Sequence, residues 1–311
     1  MANVEAVAGT LARLRPGSFT RRRYVLGYSM LAPAVLYMAV LVGVPFLWSL
    51  YLSVSNATVG TPVAHYVGLE NFETVLGDSV VRLAMRNTIL FTVVSVVLQG
   101  ILGLLLAFLL IQEFPARKLI RFLVVIPWTL PTAISALAWK WMFDPQFSAI
   151  NYVARALHIL GPDVWPNWLG EPGLSFASIV IVNVWRGFPF AAIVLLAGMT
   201  SVPLEIIDSA KVDGANFWLR FHYIIVPMIR PILFVGLLFN MVFTLGDLSI
   251  VYLLTKGGPM SLTEVLPTKA LEIGIQAGAL DRGAAISLLL FPILVPIVYM
   301  LLRMLARRET L

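Results

Sequence analysis

Residues 200–231, TSVPLEIIDSAKVDGANFWLRFHYIIVPMIRP, decide how this chain is read. They lie between two long apolar runs, yet they are too polar to cross a bilayer and too patterned for a plain linker. Pro203 suits a first helical turn, Glu205, Asp208 and Lys211 recur at three-residue steps, and Ile206, Ile207 and Ala210 take the opposite side. The spacing predicts a short amphipathic helix. Gly214 ends it, because glycine enters the left-handed conformation of a helix terminus without steric cost. A second helical piece follows over about 216–226, and Pro227 marks the way into the next apolar run. The result is a helix, turn, helix projection from one membrane face. Such a helix could lie on the headgroups or meet a protein partner. Its acidic residues weigh against the first, since a helix adsorbed on anionic lipid should be rich in Lys and Arg on its polar side.

On either side of this stretch apolar residues dominate. They make up 59% of the 311 residues and charged ones only 12%, against about 45–50% and 25% in an ordinary soluble domain. So few charges cannot cover a soluble protein of this length, whereas a chain surrounded by lipid keeps its exterior apolar. Six runs, 25–54, 87–111, 122–143, 176–199, 232–254 and 284–302, reach the roughly 20 residues that a helix needs to cross the hydrocarbon core. The first follows Arg21, Arg22 and Arg23 but far exceeds a secretory signal core, so it is read as an uncleaved span. An all-α membrane protein with six transmembrane helices is expected.

Orientation follows from the basic residues near the span ends. With the N-terminus inside, the inner segments hold Arg13, Arg15, Arg21, Arg22, Arg23, Arg117, Lys118, Arg121, Lys211, Arg220, Arg230, Arg303, Arg307 and Arg308, which is 14 of the 22. The outer loops hold six: Arg82, Arg86, Arg155, Lys256, Lys269 and Arg282. Both termini are expected in the cytoplasm, as basic tails over 1–23 and 304–311 around a transmembrane domain over 24–303. The outer loop 144–175 carries Trp165 and Trp168, read as resting at the membrane interface rather than stacking on a ligand.

Several chemistries are excluded. The chain has no cysteine, hence no disulfide and no thiolate ligand or nucleophile. The net charge of +6 builds no continuous basic face, which argues against nucleic acid. No phosphate-loop run occurs, and Lys256-Gly257-Gly258-Pro259 lacks its spacing. His65, His158 and His222 fall on three different loops, so no metal site is expected. The spans hold no Ser/His or paired-Asp arrangement of an intramembrane enzyme, and there is no internal repeat.

The loop that opens this reading has a counterpart. Asp208-Ser209-Ala210, three residues, Gly214, nine residues and Ile224-Ile225-Val226-Pro227 closely resemble the EAA loop of permease subunits of bacterial ABC importers. That pattern is Glu-Ala-Ala, three residues, Gly, nine residues, Ile-x-Leu-Pro. Asp208, Ser209 and Val226 depart from it conservatively. The likeness runs from about Tyr24 to Arg303. Gly68-Leu69-Glu70-Asn71-Phe72, Ile126-Pro127-Trp128 with Pro131, Trp141-Met142-Phe143-Asp144-Pro145, Val184-Trp185-Arg186-Gly187-Phe188-Pro189-Phe190 and Tyr252-Leu253-Leu254-Thr255-Lys256-Gly257-Gly258-Pro259 look like segments of the sugar-importer branch that includes the maltose and glycerol-phosphate permeases.

The resemblance implies a type I ABC importer permease in the bacterial cytoplasmic membrane. It would be a pore subunit and not an enzyme, paired with a second homologous permease. Two ATPase subunits would carry ATP and Mg, with no cofactor on this chain, and an extracytoplasmic solute-binding protein would deliver a carbohydrate. The coupling helix and its turn would comprise Glu205, Asp208, Ala210, Asp213 and Gly214. A single-chain secondary transporter is the alternative, disfavoured by six spans without repeated halves.

Substrate contacts are sought among polar residues at membrane depth, which are costly unless they face protein or a water-filled cavity. These are Gln99, Thr129, Thr132, Ser135, Trp139, Lys140, Asn183, Trp185, Arg186, Asn240, Thr244, Asp247, Ser249 and Tyr252. Thr129 and Ser135 carry less weight, since span hydroxyls commonly bond to their own helix. Asn240, Thr244 and Asp247 stand at i, i+4 and i+7, one helical face and the expected pore lining. Asp247 could instead form a structural ion pair with Arg186 or Lys140, and Trp139 and Trp185 could be packing aromatics.

Overall fold

Apolar runs long enough to span a bilayer must satisfy their backbone internally, and here they do so as helices. The computed structural model describes residues 16–61, 64–161 and 163–306. Arg13, Arg15, Arg307 and Arg308 of the expected tails lie outside the described residues. Among those described there is no strand; an isolated antiparallel bridge joins Ser55 and Tyr66. Two units can be distinguished, Met1–Leu52 and Ser53–Leu311.

The first unit holds a helix that starts at Pro16, inside the expected tail, and carries the apolar span Tyr24–Ser53 as far as the unit's end. The second unit contains the spans Ser79–Ile111, Leu174–Thr200, Phe217–Leu245 and Leu280–Tyr299, together with a bent pair, Arg117–Thr129 and Thr132–Met142. Five helices are long and apolar enough to cross, and six spans result when the bent pair counts as one.

Two expected spans are broken, each for a local reason. The third turns by 95° at Leu130 and Pro131. A residue ahead of proline is driven out of the helical region, and proline has no N–H to continue the ladder; Leu130 is accordingly extended, at ψ 141°. The fifth stops at Leu245, nine residues earlier than expected, with Gly246 at its end, and the chain resumes as the short helix Ser249–Leu254. The sixth loosens to a turn at Leu289 and Leu290, just ahead of Pro292, and still runs as one candidate span, Leu280–Tyr299. At its other end the fifth span reaches back to Phe217, so the second piece of the 200–231 loop is continuous with it through a wider turn at Phe221–Ile225.

Packing centres on the second and fourth spans. Gly103 lets their backbones approach closely: a Cβ there would lie 2.7 Å from Ala191 Cβ and 3.0 Å from Ala192 N. Small residues permit such contact between helices in lipid, where there is little hydrophobic drive for association. Three apolar clusters follow along the unit. One joins Phe91, Ile179 and Val182 to Phe143 and Ile250 beyond the two breaks. A second joins Val75, Val81 and Ala84 to Leu266, Ala285 and Ile286. The third gathers Ala107, Leu195, Met199 and Ile229 beneath Val202 and Ile207, which seats the 200–231 loop on the bundle.

Candidate functional site

The breaks in the third and fifth spans face one another across a cavity of about 470 Å³, lined by Trp128, Thr132, Arg186, Phe243, Gly246, Asp247, Leu248 and Ser249. Of the expected pathway residues it brings together Thr132, Arg186, Asp247 and Ser249. Thr132 opens the second half of the third span. Asp247 stands just past the Gly246 break, where its Oδ1 accepts the Ile250 N–H of the short helix's first turn at 2.9 Å. Its Oδ2 lies 3.7 Å from Arg186 Nη1, with the side chains 9% and 25% exposed respectively. Arg186 Nε finds no hydrogen-bond partner among the described residues. The structure thus joins Asp247 to Arg186 in an ion pair at the cavity wall, while Lys140 is exposed. Trp128 supplies an aromatic wall and stacks on Phe190, ring centroids 5.4 Å apart. Such a site offers a charged pair, two hydroxyls and an aromatic face to a polar solute.

The rest of the expected stripe points elsewhere. Asn240 and Thr244 are buried against the fourth span and do not line the cavity. Asn240 Nδ2 donates to the Gly187 carbonyl at 3.4 Å, and Asn183 Nδ2 donates to Thr244 Oγ1 at 3.2 Å. The three-residue face fails because Gly246 ends the helix before Asp247, so i+7 no longer shares the helical path. Gln99 Nε2 donates to the Asn183 carbonyl at 2.9 Å, and its amide passes so close to Gly187 that a Cβ there would sit 2.2 Å from Nε2. These four groups form a polar seam holding the second, fourth and fifth spans together. Trp139 meets Trp185 edge to face at 5.5 Å and packs on the core, the packing alternative for both rings. Tyr252 takes a hydrogen bond from Gln276 at 3.2 Å, outside the cavity lining. Trp128, Phe243, Gly246 and Leu248 were missed as lining residues; the sequence signal available for the break was a glycine inside an apolar run.

The 200–231 loop is built much as its residues dictate. The helix is Leu204–Val212, with Pro203 at its cap, Glu205 in its first turn and Lys211 in its last, charges of the sign each terminus favours. Gly214 has φ +76°. Its N–H donates to Lys211 O at 3.0 Å, and Ala215 N–H donates to Ala210 O at 2.9 Å, the paired bonds of a glycine-terminated helix. Asn216 Oδ1 then accepts Leu219 N–H at 2.9 Å and starts the next helix. Phe217 and Phe221 pack edge-on against Phe108 of the second span at 5.6 and 5.0 Å. Ile207 turns toward the bundle as expected, but Ile206 is exposed. Asp208 pairs with Lys211 at 2.7 Å on the exposed face. Leu204, Trp218, Tyr223 and Val212, the last 88% exposed, leave an apolar surface around the turn.

Beyond the fifth span, Asn87 Nδ2 donates to the carbonyls of Leu262 and Glu264, each at 3.0 Å, and Thr88 Oγ1 accepts Leu266 N–H at 2.9 Å. This clamps the loop that carries Glu264. Burial pushes the Glu264 carboxyl above the usual glutamate range; the Thr268 hydroxyl, 2.6 Å away, opposes that, Glu272 adds to it and Lys269 opposes it. Asn71, in the 68–72 segment, holds the Ser53 and Ser55 carbonyls at 3.0 and 2.7 Å. No group of three acidic, histidine or cysteine side chains fit for a metal ion occurs among the described residues.

Comparison with known proteins agrees with this architecture. Residues 99–309 match the family described as binding-protein-dependent transport system inner membrane component. The chain is 35% identical over 271 residues to the trehalose/maltose transport system permease protein MalF of Thermococcus litoralis, covering 87% of this chain and 90% of the relative. It is 31% identical to the trehalose transport system permease protein SugA of Mycobacterium tuberculosis, covering 98% and 96%. Its fold resembles a chain of a bacterial ABC transporter involved in import of the acidic polysaccharide alginate, with a TM-score of 0.78 at 21% identity over 94% of this chain and 99% of that one. None of these likenesses supports a single-chain secondary transporter. A multi-pass membrane helix bundle, a polar loop helix ending at Gly214 and a match over two thirds of the residues together establish that this chain belongs to the family of binding-protein-dependent transport system inner membrane components.

Proposed function

We propose that the chain is one of two permease subunits forming the pore of an ATP-driven importer for a neutral carbohydrate. Both termini lie in the cytoplasm, with a transmembrane domain over 24–303 and a loop over 200–231 between them. The helix Leu204–Val212 enters a cleft on an ATPase subunit, which holds the ATP and Mg; a solute-binding protein delivers the sugar on the other side. The observation that carries this reading is the exposed helix ending at Gly214, φ +76°, ringed by Leu204, Val212, Trp218 and Tyr223. An apolar rim around a rigid turn is suited to burial in a partner. The anchoring of Phe217 and Phe221 on Phe108 would pass a movement of the docked helix to the second and fifth spans.

The sugar would pass the cavity at the two helix breaks. Carboxylate and guanidinium groups read hydroxyls by hydrogen bonding, and an aromatic face covers the apolar C–H side of a pyranose. Asp247, Arg186, Thr132 and Trp128 supply these. The opposite charges of the pair leave no net charge at the wall, which favours a neutral sugar over an anionic one. The test is to purify the chain with its bound partners and to assay ATP hydrolysis against a panel of sugars and loaded binding proteins. Recovery of a second permease and an ATPase, with hydrolysis stimulated by one loaded binding protein, is expected. A chain isolated without any ATPase would defeat the proposal.

A further inference from the structure

The helix Ala149–Ala156, between the third and fourth spans, buries Asn151 and packs Ile150 on the core, and it turns Tyr152 and Val153 outward. Asn151 is 1% exposed. Its Oδ1 accepts the Trp168 Nε1–H at 2.7 Å, and its Nδ2 donates to the Pro166 carbonyl at 3.3 Å. Ser148 caps the helix by accepting Asn151 N–H at 3.1 Å and donates to the Met142 carbonyl at 2.9 Å, which ties the helix start to the end of the third span. Trp168, read from sequence as an interfacial ring, is instead turned inward onto Phe143. The opposite side shows Phe147, 75% exposed, and Tyr152, 76% exposed, with Val153, Leu157 and Ile159.

We infer that this helix lies in the lipid–water interface at the end of the third span, with Tyr152, Val153 and Leu157 set into the bilayer. Continuity along the chain identifies lipid as the occupant. In the preceding half-span Ile134, Leu137 and Trp141, at i, i+3 and i+7, are exposed as a stripe, the surface a membrane helix turns to acyl chains. Phe147 stands six positions after Trp141, in a turn at 145–147, and the helix begins two residues later. The chemistry agrees. Tyrosine and tryptophan, each with an apolar body and a polar tip, concentrate at headgroup depth. The helix holds no acidic residue. Its one cation, Arg155, lies 3.5 Å over the Trp165 ring centroid and donates to the Val164 carbonyl at 2.9 Å, at the border where a basic group meets lipid phosphate.

The chain contains no cysteine, so a single thiol can be placed without further change. Tyr152→Cys, Val153→Cys, Leu157→Cys and, as the water reference, Asp163→Cys are made in the intact transporter, spin-labelled and reconstituted in phosphatidylcholine/phosphatidylglycerol liposomes. Collision rates with oxygen, which concentrates in lipid, and with a water-soluble nickel chelate are compared. The three helix labels are expected to favour oxygen over the chelate several-fold more than the Asp163 label does. Chelate access equal to that at Asp163 would overturn the inference in favour of an aqueous face. Shielding from both reagents would overturn it in favour of a protein, such as the second permease or the binding protein. Three positions keep the result readable should one variant fail to insert.

Discussion

At the scale of single residues, Gly214 and Glu264 each carry a test. Gly214 occupies a backbone conformation at φ +76° that costs a β-carbon about 1–2 kcal/mol, although no neighbouring atom lies within 4 Å of the site a Cβ would take. Gly214→Val should therefore leave insertion intact while distorting the turn, and uptake should fall at least tenfold; normal uptake with that variant would remove the docking argument. Glu264 offers a different test. Because burial raises its pKa in the folded state, the folded chain holds a proton that the unfolded chain has released, and stability declines as pH rises from the ordinary glutamate value to the raised one. The stability is fully present below that window. Glu264→Gln should flatten the slope, which thermal unfolding in detergent across the mildly acidic range would show as a smaller fall in Tm than in the parent chain.

At the scale of elements, the decisive features are close approach and interruption. Gly103 marks where the second and fourth spans touch, and the atoms a methyl would meet are backbone or short side chain, unable to swing aside. Gly103→Ala should cost about 1–3 kcal/mol through overpacking and lower the yield of folded chain. An unchanged melting temperature would mean that the two helices can part freely. The interruptions of the third and fifth spans act in the other direction, since they line the cavity between the helices. Pro131 could be recognised in the sequence as a helix breaker, yet the third span reads there as one continuous run, because hydropathy counts residues and not their direction. Gly246 was equally visible, but a lone glycine within an apolar run is compatible with an unbroken helix. The 200–231 loop was legible nearly to the residue, because local rules alone govern its proline, its charge periodicity and its terminal glycine.

At the scale of the whole molecule, the contest is between transport and assembly. If Asp247 meets the passing solute, Asp247→Ala should reduce uptake at least tenfold while reducing recovery of the assembled complex by less than twofold; equal losses of both would make the Arg186 pair structural. Their separation of 3.7 Å and the partial exposure of Arg186 fit a pair that water or a hydroxyl can enter. The sequence by itself determined that the chain lives in lipid, how many times it crosses, which loop projects and which family pattern that loop follows. Those properties rest on composition, run length and short-range spacing, which need no knowledge of neighbours. Only the tertiary structure decided that Asn183, Asn240, Thr244 and Gln99 bind helices to one another while Arg186, Asp247 and Thr132 face open space. A polar side chain at membrane depth must find a partner, but whether that partner is a neighbouring helix or the contents of a cavity depends on how the helices pack and where they break.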